Sequence, residues 1–118
     1  MQKVYHLGTC DTCRRIIKEL ELPSSFTLQD IKKEEITVKQ LEVLHKLSGS
    51  YEALFSKRAK LYKERDLKNE NLSESDIKQL ILEHYTFLSR PVIINGDQIF
   101  IGNSKKTIQA AKSSIHNI

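Results

Sequence analysis

The chain has 118 residues and a formal net charge of +4, from 19 Lys and Arg against 15 acidic residues; 39% of it is hydrophobic and 29% charged. One domain of this length buries most of the surface that its unfolded chain exposes, and the balance of apolar and charged residues excludes a disordered polymer. No apolar stretch approaches the roughly 18 residues that span a bilayer, so no membrane association is expected.

The opening MQKVYHLGTC lacks a long apolar region and a small-residue cleavage site, so no secretory signal is expected and the protein is assigned to the cytoplasm. In that reducing compartment a C-x-x-C pair serves redox or metal chemistry more often than a structural disulfide.

In chain order, KVYHL (3–7) is short, rich in β-formers and bounded by Gly8, which predicts a first strand. From Asp11 the period changes: Cys13, Ile16, Ile17 and Leu20 recur at helical spacing until Pro23. SSFTLQD (24–30), with Phe26 and Leu28 alternating with polar residues, predicts a second strand. Thr37 and Gln40 have capping-box spacing, and Val38, Leu41, Leu44 and Leu47 continue a helix to SGS at 48–50. A shorter element is expected around Tyr51 to Leu61. Ser73 with Asp76 marks another helix start, and Ile77, Leu80, Ile81, His84 and Leu88 predict a helix reaching Ser89. RPVIINGDQIFIG (90–102) predicts a hairpin turning at Asn95-Gly96. Ser104 begins a last helix with Ile108, Ala111 and Ile115 inward.

The densest basic stretch, SKRAKLYKERDLK (56–68), is interrupted by Glu64 and Asp66. It fits a solvated helical face or a contact with an anionic partner, and charge alone does not separate them. With no repeat or interdomain linker, residues 1–118 are expected to form one α/β domain of thioredoxin-like topology, β-α-β … β-β-α, with a helical insertion at about 37–72.

The only two cysteines, Cys10 and Cys13, fall where the first strand gives way to the helix. Tetrahedral zinc needs two more ligands, and the histidines His6, His45, His84 and His116 lack metal-ligand spacing, so no metal is expected. Cys10 precedes the helix, where free backbone N–H groups and the helix dipole favour a thiolate. Cys13 lies one turn on, with the inward-facing isoleucines. This is the arrangement of an attacking sulfur and a shielded resolving one; two unreactive cysteines, Cys13 serving as a small core residue, are the alternative. Pro91 opens the hairpin and in this topology is expected to be cis and to face Cys10. Arg90 beside it is then a candidate bidentate ligand for an oxyanion, or else a surface arginine.

YHLGTCDTCRRIIKEL, the helical middle and RPVIINGDQIFIG together resemble the arsenate reductase (ArsC/Spx-like) family of the thioredoxin fold over essentially the whole chain. The group includes glutaredoxin-coupled arsenate reductases, the regulator Spx and uncharacterised relatives. The resemblance implies that Cys10 is the nucleophile, that His6 four residues earlier tunes it, and that Arg90 binds the anion. Arg58, in FSKRAKLY, fits the Spx-like and uncharacterised branches better than the arsenate reductases and by the same resemblance is a second candidate to hold the anionic substrate. Two departures stand out: the family's HNP is HLG (6–8) here, and its third anion-binding arginine is Asn103. Losing one charge-assisted contact weakens oxyanion binding by roughly 1.5–3 kcal/mol.

The implied activity is thiol-dependent reduction of a small anionic substrate by a monomer without bound cofactor. Glutathione, glutaredoxin or a thioredoxin-type protein would supply electrons. The alternative is a Spx-like redox-switched regulator binding RNA polymerase. No motif reads DNA, so no direct nucleic-acid contact is expected.

Overall fold

The computed structural model describes the whole chain, Met1–Ile118. In chain order its elements are β1 (Gln2–His6), α1 (Asp11–Leu20), β2 (Thr27–Asp30), α2 (Val38–Ser48), α3 (Lys60–Glu64), α4 (Glu74–Glu83), β3 (Val92–Asn95), β4 (Gln98–Ile101) and α5 (Lys105–His116). Single 3-10 turns lie at Glu52–Leu54, Leu67–Asn69 and Tyr85–Phe87. The elements group into two compact units, Met1–Glu35 with Arg90–Ile118, and Ile36–Ser89.

The first unit is built on a sheet with strand order β2-β1-β3-β4. β1 and β2 run parallel, from Lys3 opposite Thr27 to His6 opposite Asp30, because α1 carries the chain back to the starting end. β3 runs antiparallel to β1, and β4 to β3. This β-α-β plus β-β-α arrangement is the thioredoxin-like fold. Its core is a cluster of Val4, Ile16, Leu20, Ile93, Ile108 and Ala111, joining β1 and β3 to α1 and α5. The helix ends are tied as well: His116 Nε2–H donates to the Leu20 carbonyl at 2.6 Å. Ser104 caps α5 by accepting the Thr107 N–H at 3.1 Å.

Two details of this unit differ from the sequence expectation. β2 starts only at Thr27, because Phe26 N–H closes a turn on the Pro23 carbonyl at 3.1 Å. As an edge-strand residue Leu28 stays 47% exposed, while Gln29 is the buried position, its amide donating to the Glu34 carbonyl at 3.1 Å. In the hairpin Asn95 pairs with Gln98, so the two turn residues are Gly96 and Asp97, one position later than expected. Gly96 alone has positive φ (67°), the pattern of a type II′ turn. Asn95 is occupied otherwise: it accepts from Gln2 Nε2 and donates to Ser114 Oγ, both at 3.0 Å.

In the second unit both expected capping boxes form, Thr37 with Gln40 on α2 and Ser73 with Asp76 on α4. α2 buries Leu41 and Leu44 and ends at Gly49 with φ 88°; Val38, in the first turn, is 50% exposed. The expected element at 51–61 is two pieces, a 3-10 turn at Glu52–Leu54 and α3, with Phe55 extended between them. Phe55 bridges Leu88 and stacks on Phe87 at 5.6 Å. α4 ends at Glu83, six residues before Ser89. His84 leaves the helix in an extended conformation, and its Nδ1 accepts the Thr86 N–H at 3.2 Å to start the next turn. A side chain that caps the backbone this way competes with helix continuation. α4 belongs to this unit together with the 37–72 stretch. No helix is long and apolar enough to cross a membrane.

Candidate active site at the start of the first helix

β1 ends at His6, and four residues later the chain enters α1. Cys10 N–H closes a turn on the Leu7 carbonyl at 3.0 Å, and the Cys10 carbonyl accepts the Arg14 N–H at 3.1 Å. Cys10 is therefore the N-cap, with extended backbone (φ −91°, ψ 116°). Its sulfur closes no tight cap bond. The N–H groups of the first turn are nevertheless directed at it, as at any helix N-terminus.

Partial burial pushes the Cys10 thiol up, but this is outweighed. The Cys13 N–H, the Cys13 thiol, the Thr12 N–H and the charge of Arg90 all favour the thiolate, and Cys10 ends below the ordinary thiol value. Cys13 goes the other way. It is 1% exposed, and burial, the Cys10 charge and the nearness of the Cys10 sulfur hold it above the ordinary value, against the Leu7 N–H and Arg90. Both cysteines are free. The two sulfurs are thus displaced in opposite senses, Cys10 toward thiolate and Cys13 toward thiol.

Arg90 joins Pro91 by a cis peptide bond immediately before β3. Pro91 is buried and Arg90 half-buried. Arg90 thus brings a cation to both cysteines from the segment that leads into β3. His6 stands opposite Asp30 in the β1–β2 ladder. Burial holds its imidazole below the ordinary histidine value while the Asp30 charge pulls the other way; its Nδ1 is buried without a hydrogen-bond partner. Its charge partner is Asp30, not a cysteine.

Asn103 is exposed between Gly102 (φ 92°) and the Ser104 cap, on a groove with Arg15, Glu19 and Lys105 over Ile16 and Ile108. Arg58 is exposed in the turn before α3, in the second unit. No group of three or more His, Cys, Asp or Glu converges to hold a metal ion.

Two residues at the site escaped the sequence reading: Asp30, whose carboxylate reaches back to the loop, and Gly8, on which it rests. The available signal was topological. In a parallel β-α-β unit the last residue of β2 emerges beside the end of β1, where sites of open sheets collect.

A thioredoxin-like sheet that presents a low-pKa cysteine at the first helix, with a buried partner thiol and an arginine before a cis-proline, defines a thioredoxin-fold thiol protein. Within that class the chain belongs to the ArsC family, whose model matches residues 5–111. It is similar to an arsenate reductase of Haemophilus influenzae, 29% identical over 108 residues that cover 89% of this chain and 93% of that protein. It is also similar to the global transcriptional regulator Spx of Bacillus subtilis, 25% identical over 113 residues, 92% of this chain and 85% of the regulator. Among solved structures, an ArsC-family-related protein of Bacteroides fragilis superposes with a TM-score of 0.78 at 20% identity, over 93% of this chain and 97% of that one.

Proposed function

We propose that the protein is a cytoplasmic thiol-dependent oxidoreductase acting on a small anionic substrate, with Cys10 as nucleophile and Cys13 as resolving thiol. The observation that carries this reading is the opposed displacement of the two thiols: the first-turn N–H groups, the Cys13 thiol and Arg90 draw Cys10 toward thiolate, while burial above all keeps Cys13 a thiol. The similarity to an arsenate reductase supports the substrate class.

With arsenate, the Cys10 thiolate attacks As(V) and displaces one hydroxyl, which takes a proton from solvent and leaves as water, so that a sulfur–arsenic bond replaces the arsenic–oxygen bond. Arg90 neutralises the remaining oxyanion charge, a charge-assisted contact that strengthens where water is excluded. Cys13 then gives up its proton to the departing oxyanion and attacks the Cys10 sulfur. The electron pair of the sulfur–arsenic bond passes to arsenic, which leaves as As(III), and a Cys10–Cys13 disulfide remains. Two electrons from glutathione, glutaredoxin or a thioredoxin-type dithiol restore the pair. No bound cofactor takes part, and the protein works as a monomer.

A second reading rests on the same cysteine pair. The similarity to Spx and the position of Arg58 favour a regulator that binds RNA polymerase and uses the Cys10–Cys13 disulfide as its switch. Arsenate-dependent NADPH oxidation with glutathione, glutaredoxin and glutathione reductase tests the enzyme, with turnover expected in wild type and absent in Cys10→Ser. A pull-down with polymerase subunits under oxidising and reducing conditions tests the regulator, and binding in neither state ends that reading.

A further inference from the structure

The carboxylate of Asp30 has no part in the thiol chemistry, yet it is seated on the loop that carries the thiol. Asp30 ends β2 opposite His6. Its Oδ1 accepts the Lys32 N–H at 3.1 Å, and the Gly8 backbone is among the groups that favour its ionised form. Gly8 lies so close that an added Cβ would overlap Asp30 Oδ2 and press on its carboxyl carbon at 3.4 Å. From the other side, Arg14 Nη1 donates to the Gly8 carbonyl at 3.2 Å, and Arg14 is itself ion-paired with Asp11. A carboxylate from β2 is thus packed directly against Gly8, and the Gly8 carbonyl is held by a guanidinium from α1. Glycine is the residue whose backbone is otherwise freest to move. Two residues later comes Cys10, turned back onto the Leu7 carbonyl.

We infer that Asp30 is a positioning residue for the Cys10 thiol: its carboxylate, seated on Gly8, holds the strand-to-helix loop in the conformation that delivers the sulfur to the N-terminus of α1. The effect is geometric. The groups that act directly on Cys10 are Cys13, Thr12 and Arg90, and Asp30 is not among them. The inference rests on Cys10 being the reactive thiol, as proposed above.

The test is the iodoacetamide alkylation rate of Cys10 from about pH 5 to about pH 9, read by peptide mass spectrometry, since only the thiolate reacts. It compares wild type with Asp30→Asn, Asp30→Ala, Gly8→Ala and the Asp30→Ala/Gly8→Ala double variant, with thermal melting of each. Asn keeps a carbonyl acceptor for the loop, and Ala does not. The Asp30→Ala profile should move to higher pH, cutting the rate at about pH 6 about tenfold for each unit of displacement, while Asp30→Asn stays close to wild type. Gly8→Ala, which dislodges the carboxylate without removing it, should reproduce Asp30→Ala, and the double variant should be no worse than either single one.

An unmoved Asp30→Ala profile overturns the inference, even with a lowered melting temperature, because the carboxylate would then only brace the fold. If Asp30→Ala does not fold, Gly8→Ala decides by the same criterion. A wild-type protein in which Cys10 reacts no faster than Cys13 removes the proposed function first, and that result is distinct from a normal wild type with an unmoved variant.

Discussion

Cys10 and Cys13 are displaced in opposite senses: the Cys13 backbone N–H, and after it the Cys13 thiol as a second donor, lower Cys10, while burial first of all raises Cys13. Cys13→Ala removes that donor and leaves the backbone N–H groups and Arg90 in place. The thiol titration of Cys10, followed by thiolate absorbance, should therefore move up without reaching the value of a free thiol. Cys13→Ser, which keeps a donor, should move it less. A Cys10 titration that Cys13→Ala leaves unchanged contradicts the contact.

His6 predicts an acid-side loss of stability. Burial holds it below the ordinary value of 6.5, against the pull of Asp30, so the folded chain binds this proton less readily than the unfolded one. Its contribution is present above about pH 6.5 and is lost as pH falls through the lowered value. Asp30 is displaced the same way: burial raises it, but the Lys32 and Gly8 N–H groups and the charges of His6 and Lys33 prevail. Its contribution is present above the ordinary carboxylate range and is lost at still lower pH. The urea unfolding midpoint should thus fall in two stages on acidification, and His6→Gln should remove the first and, by taking away one of the charges that hold Asp30 down, shrink the second. A wild-type midpoint that is flat between about pH 7 and about pH 5 rules this out.

If Asn103 occupies the position of the family's third anion-binding arginine, arsenate should bind wild type weakly and turn over slowly. Asn103→Arg should tighten binding, and the gain should shrink with added salt because the position is exposed. The site precedes the Ser104 cap and lies outside the core, so melting should change little. Efficient arsenate reduction by wild type, unaltered by Asn103→Arg, separates Asn103 from substrate binding.

Ile93 is fully buried at the centre of the β1–β3–α1–α5 core. Ile93→Ala should cost about 2–5 kcal/mol in denaturant unfolding. The α2 cap is exposed, and Thr37→Ala should cost about 1 kcal/mol. Equal costs for the two would contradict the core assigned to the sheet.

Local chemistry made much of this architecture legible. The capping boxes at Thr37 and Ser73, the cysteine at the helix start, and the strand order implied by β-α-β followed by β-β-α all follow from short-range pattern. The failures came where a side chain took a role that pattern does not encode. His84 sits at helical spacing, yet it caps the next turn and ends α4 six residues early. Asn95 looked like a turn residue, yet its amide ties β3 to Gln2 and Ser114, and the turn moves on to Gly96-Asp97. Asp30 was one polar residue ending a strand until the parallel register set it opposite His6 and onto Gly8. Such pairings depend on long-range register, which a single chain's periodicity leaves open.

The proposed division of labour between Cys10 and Cys13 is tested most directly by substoichiometric iodoacetamide at about pH 6, where only a lowered thiol holds appreciable thiolate, followed by peptide mass spectrometry. The label should fall almost entirely on Cys10, and oxidation before labelling should protect Cys10 and Cys13 together as an intramolecular disulfide. Equal labelling of the two cysteines, or oxidation that joins separate chains and leaves Cys13 free, would contradict the account.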